Sequence, residues 1–464
     1  MSGATMRVLQ VIHQFPPFST QGSEMHCLQL SNALAAAGDA VGVFHTSNTS
    51  PRYPRRLIRG GAEAIRTFHC IDDGQYSRLA DWPNHFLRRA FREALAEFTP
   101  DVVHFHNYVS LGDDLVGIAR DAGAAVVYTL HDYGLICPNN LLLRADGALC
   151  GKRSPDFFEA CCPVPIRCSG GNAPLISSRV PPLARWGQFA DNQPHAVSRT
   201  ALKSLVVLGQ IAMGSPEHTD IGAKRAMFLG HTRQIFDRVH LFIAPSMYLR
   251  ERFLACGLPC DRIVYERCGL HRFPRPDHMP SPDGKVRFGY IGAFHAHKGV
   301  DVLLKAFRGL EDRAILHIHG SSFGSPVSEA HFRRTASAAG SGVVLHGRYD
   351  NQRIAEILAQ LDAVVVPSVW VENSPLTIQE AQIAGVPVIT ANEGGMAELV
   401  RDGVDGRLFR LGDAADLHRV LAEVLDRPQT LHELRACAPT VPTIEGQSER
   451  IRMHYRSAIE RSRP

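Results

Sequence analysis

Residues 364–404 read VVVPSVWVENSPLTIQEAQIAGVPVITANEGGMAELVRDGV, and this stretch decides the fold class. It begins in an apolar, mostly β-branched run, Ala363–Val366, as expected of a strand that is buried on both faces. Ser374 is suited to cap a helix and Pro375 to open it, because the N–H that proline lacks would be unpaired there. Gly385 is suited to end that helix before the next apolar run. The order strand, helix, strand predicts a parallel α/β sheet.

Two carboxylates in this stretch, Glu372 and Glu380, lie eight positions apart. Glu372 falls in the loop at the carboxyl end of the predicted strand, and Glu380 falls inside the following helix. Ligands of parallel α/β sheets bind at that edge. Solvation is the more common fate of glutamate, although apolar residues such as Leu376 and Ile383 surround Glu380. The pair therefore predicts either a binding site or two solvated acids.

The size and composition of the chain limit its class. A length of 464 residues suits two domains, and a formal charge of +4 is too small to indicate a nucleic-acid partner. No apolar run has the length of a membrane span. The N-terminal residues MSGATMRVLQVI lack the apolar core of a signal peptide. We therefore expect a cytoplasmic protein without a nucleic-acid partner.

The chain divides into two α/β domains. Residues 1–275 predict an N-terminal Rossmann-like domain, which is interrupted at 137–223 by an irregular, cysteine-containing insertion. A proline-rich linker follows, and residues 284–442 alternate strands and helices as a second parallel, doubly wound sheet. Residues 443–464 predict a terminal helix that packs on the N-terminal domain.

The N-terminal domain carries two candidate site residues. Gly22 lies in the loop of a strand–loop–helix–strand unit, where its small size lets the backbone approach a ligand; a simple tight turn is an equal alternative. His131 follows a predicted strand at its carboxyl end, which is typical of a site residue. It is equally consistent with a structural histidine.

Cysteine spacing suggests one metal option. Five of the eleven cysteines cluster in the irregular region, and four of them (Cys137, Cys150, Cys161 and Cys168) are candidate thiolate ligands of a structural Zn²⁺. No C-x-x-C pair is present among them. Reduced thiols in an irregular insertion are the alternative.

The segment Arg52–Arg66 holds five arginines interleaved with apolar residues. It predicts either a contact with anionic lipid or a phosphorylated acceptor, or a solvated loop and helix face. A peripheral contact with the inner face of a membrane is therefore one hypothesis.

Phosphate-binding features gather in the second domain. Lys298 follows a strand-end glycine, Gly292, and precedes a helix, so its ammonium can meet a phosphate at the helix N-terminus. Gly394 and Gly395 precede a short helix and can offer backbone N–H groups. With the two glutamates, these residues predict one wall of a cleft.

Several motifs carry a family resemblance. GYIGAFHAHKGVDVLLKAF, VVVPS, ENSPLTIQEAQIAGVPVIT and GGMAELVRDGVDGRLF resemble the retaining nucleotide-sugar glycosyltransferases of the GT-B fold, in particular the fourth family. QGSE, DVVHFHN and TLHDYGLICP agree in the N-terminal half. The resemblance covers about residues 6–168 and 225–425. It implies two Rossmann-like domains facing a cleft, with a C-terminal helix crossing back.

The resemblance also implies a hexosyltransferase activity. A sugar would move from a UDP- or GDP-sugar to a glycan, lipid-linked or small-molecule acceptor with retention, as in polysaccharide biosynthesis, without a required metal or other cofactor. Lys298 would bind the donor diphosphate, Glu380 the ribose and Glu372 the transferred sugar. The implied contacts of the remaining residues are with phosphate, acceptor or sugar: Gly22, His131, Gly394 and Gly395.

The sequence departs from the family pattern at one place. Many relatives carry an arginine after the strand-end glycine, where this chain has Ala293 and Phe294. Arg348 or a helix dipole could substitute for it, and His295 and His297 could serve in part. A nucleotide-sugar-binding protein without turnover and a GT-B epimerase are therefore alternative functions. A dinucleotide dehydrogenase is excluded, because no G-x-G-x-x-G motif follows a strand.

Overall fold

A computed structural model describes residues 5–48, 55–62, 64–72, 84–106, 114–137, 140–143, 149–150, 221–279, 281–321, 333–334, 336–337, 340 and 342–463. The described strands form two separate sheets. Much of the predicted insertion, including Cys161, Cys162 and Cys168, lies outside these residues, so the four-cysteine zinc site stays a prediction. Cys137 is buried and Cys150 is half-buried.

The first sheet has eight strands: β1 Arg7–Ile12, β2 Ala40–Asn48, β3 Arg56–Ala62, β4 Ile65–Asp72, β5 Val102–Phe105, β6 Ala125–Thr129, β7 Leu241–Ala244 and β8 Ile263–Tyr265. Their order is β3-β4-β2-β1-β5-β6-β7-β8. All neighbours pair in parallel except β3 and β4, which form an antiparallel edge. The described helices of this half are α1 Gly22–Ala36, α2 His85–Phe98, α3 Asp114–Asp121, α4 Ile221–Arg238 and α5 Met247–Ala255.

The second sheet has six strands, all paired in parallel: β9 Val286–Ile291, β10 Ala314–His319, β11 Val343–Gly347, β12 Ala363–Val366, β13 Val388–Ala391 and β14 Gly406–Phe409. Their order is β11-β10-β9-β12-β13-β14. The described helices are α6 Val300–Phe307, α7 Ile354–Ala359, α8 Leu376–Ala384, α9 Gly394–Leu399, α10 Ala414–Asp426 and α11 Gln429–Ala436. The strand β12 is buried along its whole length, as its β-branched sequence predicts.

The last helix, α12 (Ile444–Ser462), returns to the first sheet. Its buried residues Ile451, Tyr455 and Ala458 share one apolar core with Val8 of β1 and Leu30 of α1. Two parallel sheets with a helix crossing back confirm the predicted α/β fold class. No described helix has the length and apolar character needed to span a bilayer.

Two local predictions differ from the structure. The helix α8 begins at Leu376, with Pro375 rather than Ser374 at its N-cap, and the Ser374 hydroxyl instead accepts a hydrogen bond from the Gln379 amide at 3.3 Å. The carboxyl end of α8 is as predicted, because Gly385 has a left-handed φ of 69°.

The arginine-rich segment is the second difference. Its described part contains the antiparallel strand β3 and the start of β4 rather than a loop and helix face. Arg59 in β3 pairs with Glu97 at 2.6 Å and Glu93 at 3.5 Å, both on α2. Residues 52–54 and 63 lie outside the described part.

Candidate functional site

The candidate site lies where the carboxyl ends of the strands of both sheets meet. The N-terminus of α1 faces the N-terminus of α8: a side-chain carbon added to Gly22 would lie 3.9 Å from the Leu376 side chain. A Cβ at that distance would make ordinary van der Waals contact, so the two helix N-termini approach closely at this point. Because helix N-termini carry partial positive charge, two such ends pointing at one space favour an anion there.

The loop after β9 positions Lys298. The Val369 amide donates a hydrogen bond to the His297 carbonyl at 2.9 Å, which ties this loop to the one that follows β12. Gly299 has a φ of 72°, and a side chain on it would collide with the Pro367 carbonyl. Only glycine allows this close contact at that backbone angle. The loop geometry thus carries the Lys298 ammonium toward Glu372.

Lys298 and Glu372 form a close ion pair. The Lys298 Nζ lies 2.7 Å from Glu372 Oε1, which also accepts a hydrogen bond from the Ser368 hydroxyl at 2.6 Å. The same ammonium lies 5.4 Å from the centre of the Trp370 ring. Burial by itself would raise the pKa of the Glu372 carboxyl, but Lys298 and Ser368 together hold that pKa below its ordinary value. Glu372 is therefore a buried, ionised carboxylate.

Glu380 has the opposite electrostatic character. It is buried in α8, and burial raises the pKa of its carboxyl to about 7, against a small lowering by the Asn351 side chain. The described residues around it supply no cation that lowers this pKa further. A buried carboxylate of this kind gains from hydrogen-bond donors, because each donor stabilises its ionised form.

The glycines Gly394 and Gly395 pack α9 against the loop that holds Glu372. The Gly395 amide donates to the Glu372 carbonyl oxygen at 2.9 Å. A side chain on Gly395 would collide with the Asn373 carbonyl, and one on Gly394 with Val371. The Gly395 N–H is thus engaged within the protein, and both glycines serve the close contact between loop and helix.

Gly292 ends β9 beside this loop. Its amide donates to the His319 carbonyl at 3.0 Å. The Tyr290 hydroxyl donates to the Ala293 carbonyl at 2.7 Å and holds the next residue of the turn. Backbone contacts on both sides therefore define the turn that contains Ala293, where the resemblance implies an arginine.

The two histidines near Lys298 do not replace that arginine's charge. Burial, followed by the nearby Lys298, lowers the pKa of His297 to about 3 and also lowers that of His295. Both rings are therefore neutral at neutral pH, and the idea that they supply part of the cationic clamp is not supported. They can offer only neutral ring nitrogens.

His131 lies opposite this wall, at the end of β6. Its carbonyl oxygen accepts a 2.6 Å hydrogen bond from the Asn373 side-chain amide, which joins the two halves directly at the site. Its ring nitrogen Nε2 lies 3.1 Å from Nδ1 of His106. Burial, followed by neighbouring histidines, lowers the pKa of both rings well below the ordinary value. His131 is therefore neutral at physiological pH.

A third carboxylate, Glu24, lies in the first turn of α1. Glu24 is 1% exposed and accepts hydrogen bonds from the hydroxyls of Ser19 at 3.1 Å and Ser23 at 2.8 Å. His13 Nε2 lies 3.3 Å from the same carboxylate. This network fixes the loop that leads to Gly22.

The structure thus brings Lys298, Glu372, Gly394 and Gly395 together, and links His131 to the same loop through Asn373. Sequence reasoning missed Asn373, Ser368 and His106. Asn373 lies between a candidate acid and a predicted cap, and His106 is the last histidine of the quoted motif DVVHFHN, just before its final residue. Polar residues at strand ends were the available signal in both cases.

Two family models match parts of this chain. Residues 276–440 match the family described as Glycosyl transferases group 1, and residues 20–155 match Glycosyltransferase Family 4. D-inositol 3-phosphate glycosyltransferase 1 of Catenulispora acidiphila is 32% identical over 460 residues, which cover 96% of this chain and 93% of that relative.

Other similarities are shorter or structural. D-inositol 3-phosphate glycosyltransferase 2 of Catenulispora acidiphila is 32% identical over 185 residues, covering 38% of this chain and 42%, less than half, of that relative's length. The crystal structure of HepE from Anabaena in complex with UDP and glucose is similar with a TM-score of 0.61 at 15% identity, covering 97% of this chain and 100% of that one.

Proposed function

The chain belongs to glycosyltransferase family 4 and has the GT-B fold, and from this premise we propose that it moves a sugar from a nucleotide-sugar donor to an acceptor hydroxyl with retention of configuration. The observation that carries the proposal is the partly buried Lys298–Glu372 pair, whose loop is joined to His131 through Asn373. The proposal places this cation, this acid and this histidine around the bound donor.

In this proposal the donor lies along the second sheet. Lys298 has three N–H groups and uses one on Glu372, so the others can contact the diphosphate. Glu380 takes the two ribose hydroxyls, which replace the water lost by its buried carboxylate. HepE is described in complex with UDP and glucose, so UDP-sugars are the first donors to test.

The leaving nucleoside diphosphate is stabilised electrostatically by Lys298 and by the N-terminus of α1. One oxygen of the departing phosphate takes the proton of the acceptor hydroxyl, which attacks the anomeric carbon on the face that the phosphate leaves. Glu372 is poorly suited to act as a covalent nucleophile, because one of its oxygens is held by both Lys298 and Ser368. It contacts the hydroxyls of the transferred sugar instead, as does His131.

The acceptor is proposed to bind on the first sheet, beside Gly22. The named relatives are D-inositol 3-phosphate glycosyltransferases, so a phosphorylated cyclitol is the first small-molecule acceptor to test, with glycans and lipid-linked sugars alongside. Cytoplasmic location stays a prediction. Membrane contact through Arg52–Arg66 also stays a prediction, and binding to anionic vesicles would test it.

The decisive experiment combines donor binding with turnover. A panel of UDP-, GDP- and ADP-sugars is screened by thermal shift, where a donor at about 100 times its Kd should stabilise the fold by about 2.7 kcal/mol. The best donor is then incubated with each acceptor class, and the anomeric configuration of the product is read by NMR. A donor that binds without any transfer would favour a binding protein, and sugar isomerisation without acceptor would favour an epimerase. An inverted product would contradict retention.

A further inference from the structure

Three histidines from three different elements converge beneath the candidate site. His26 lies on α1, His106 follows β5 and His131 follows β6. One ring nitrogen of each lies within 4.8 Å of the other two. The proposed transfer uses only His131, so the convergence of the other two needs its own explanation.

The hydrogen bonds identify the lone pair of His26. Its Nε2 lies 2.9 Å from the Gln447 side-chain oxygen, which also accepts the Gly269 amide at 2.9 Å. Because an amide oxygen only accepts, Nε2 carries the proton and Nδ1 carries the lone pair. That Nδ1 is buried and lies outside ordinary hydrogen-bond distance of the described residues. Burial lowers the pKa of the ring, but the nearby Cys268 thiol and Gln447 outweigh this and raise the pKa of His26 above its ordinary value. A buried polar atom without a partner is costly, and a ligand would satisfy it.

The same reasoning applies to His106. Its Nε2 lies 2.6 Å from the Gln10 side-chain oxygen, while the Gln10 amide nitrogen donates to the Tyr455 hydroxyl at 3.3 Å. His106 Nε2 therefore carries the proton, and its Nδ1 lone pair faces His131 Nε2 at 3.1 Å. The proton in that contact belongs to His131.

We propose that His26 Nδ1, His106 Nδ1 and His131 Nε2 form a binding site for a divalent transition-metal ion of the zinc type. Three imidazoles without a carboxylate favour Zn²⁺, Co²⁺, Ni²⁺ or Cu²⁺ over Mg²⁺ or Ca²⁺. Three protein ligands also leave one coordination position for water. Gln447 and Gln10 accept the outer N–H groups of His26 and His106, as second partners of metal-bound histidines commonly do.

Binding requires a small adjustment and a change of tautomer. Zn–N bonds of about 2.0–2.1 Å place ligand nitrogens roughly 3.3 Å apart, so nitrogens that now lie up to 4.8 Å apart must be brought closer by rotation of their rings. The ion takes the place of the proton on His131 Nε2, which passes to water, and the ring takes a proton from water at Nδ1, so the imidazole stays neutral. His131 Nδ1 then changes from acceptor to donor. If His131 contacts the sugar as proposed above, a bound ion should inhibit transfer.

The test uses Co²⁺ as a visible probe of the full-length chain. One equivalent should produce the d–d absorption bands of a tetrahedral nitrogen-ligated ion, and one equivalent of Zn²⁺ should remove them. His26→Ala and His106→Ala should abolish the bands, and Gln447→Ala should weaken binding about tenfold. His432→Ala, which alters an exposed histidine of α11, should bind as the wild type does.

Two features keep the result interpretable. Circular dichroism and thermal unfolding check that each variant folds, and His26→Gln replaces His26→Ala where that variant does not. Binding at the cysteines instead would give an intense sulfur-to-cobalt band in the near ultraviolet and would respond to Cys137→Ser. Absence of visible bands at one equivalent, or bands that persist in folded His26 and His106 variants, would overturn the proposal. This readout needs no donor or acceptor, so it is independent of the proposed function.

Discussion

The side-chain amide of Asn373 donates a 2.6 Å hydrogen bond to the backbone carbonyl of His131, which is 242 residues earlier in the chain. Asn373 belongs to the loop after β12 and His131 to the end of β6, so this bond joins the two sheets at the candidate site. A second link lies farther along the interface, where the Glu398 carboxylate accepts the amides of Met247 at 2.9 Å and Tyr248 at 2.5 Å. Because there are two links, an effect on the position of His131 can be separated from an effect on the arrangement of the two domains.

Replacing Asn373 by alanine should slow transfer by about tenfold and destabilise the fold by about 1 kcal/mol, since a buried hydrogen bond is lost and His131 is no longer held. Steady-state kinetics and urea unfolding measure both. Glu398→Ala is the matched control, because it breaks the other link without touching His131. Equal losses of kcat in the two variants would show that the arrangement of the domains, rather than the position of His131, controls the rate.

Removing the Lys298 ammonium should leave a buried carboxylate without its partner. We expect Lys298→Met to destabilise the protein by about 3 kcal/mol at pH 7 and to lose donor affinity. Glu372→Gln should also destabilise it, and the double variant should lose less than the sum of the two. Because the folded pKa of Glu372 is depressed, its stabilising contribution should be present above pH 4.5 and fade as pH falls further.

This cycle is read by urea unfolding at pH 7 and pH 4. Arg353→Met with Glu356→Gln, an exposed ion pair in the same domain, is the control cycle, and its coupling should stay below about 1 kcal/mol. A coupling near zero between positions 298 and 372 would contradict the pairing on which the proposed donor site rests.

The sequence alone was sufficient to predict the family and the fold, because both are encoded in short patterns of neighbouring residues. A β-branched run predicts the buried strand β12, and Gly385 predicts the end of α8 at its left-handed backbone. Both predictions are confirmed, as are the family and the GT-B fold. Such features depend on residues close together in the chain, where spacing alone carries the information.

The environment of each site residue depends on contacts between distant parts of the chain, which no local sequence pattern reveals. Whether Glu372 and Glu380 were solvated was open, and the structure buries both at 7% exposure. The link from Asn373 to His131 joins distant parts of the chain, and the neutral state of His297 follows from its burial. The roles of these residues toward donor and acceptor stay predictions.

Glu380 should make stability depend on pH. Its folded pKa of about 7 exceeds the ordinary 4.5, so the folded protein holds a proton between those values that the unfolded chain has lost. Stability should therefore fall as pH rises from 4.5 to 7, by about 3 kcal/mol in total. Glu380→Gln should remove this loss and be more stable than the wild type at pH 8, yet nearly equal at pH 5.

Urea unfolding at both pH values measures this difference, with Glu460→Gln, an exposed acid of α12, as the control that should change little. The same Glu380→Gln variant should bind the donor about tenfold more weakly, because an amide oxygen accepts ribose hydroxyls less strongly than a carboxylate does. A Glu380→Gln variant that is no more stable at pH 8 would show that the carboxylate is already satisfied within the protein.

A substitution at Ala293 should strengthen binding of the donor's diphosphate. It follows Gly292 in the turn after β9, where the family resemblance implies an arginine, and the neutral His295 and His297 do not supply that charge. Ala293→Arg should tighten binding of a nucleoside diphosphate about tenfold, through charge-assisted hydrogen bonds to the phosphates. Calorimetric titration with UDP, GDP and ADP at low and high salt measures this, and the gain should shrink as salt screens the new charge. Ala293→Gln is the matched control of similar length without charge, and it should bind like the wild type. An equal gain in the glutamine variant, or none in the arginine variant, would mean that the diphosphate does not lie beside this turn.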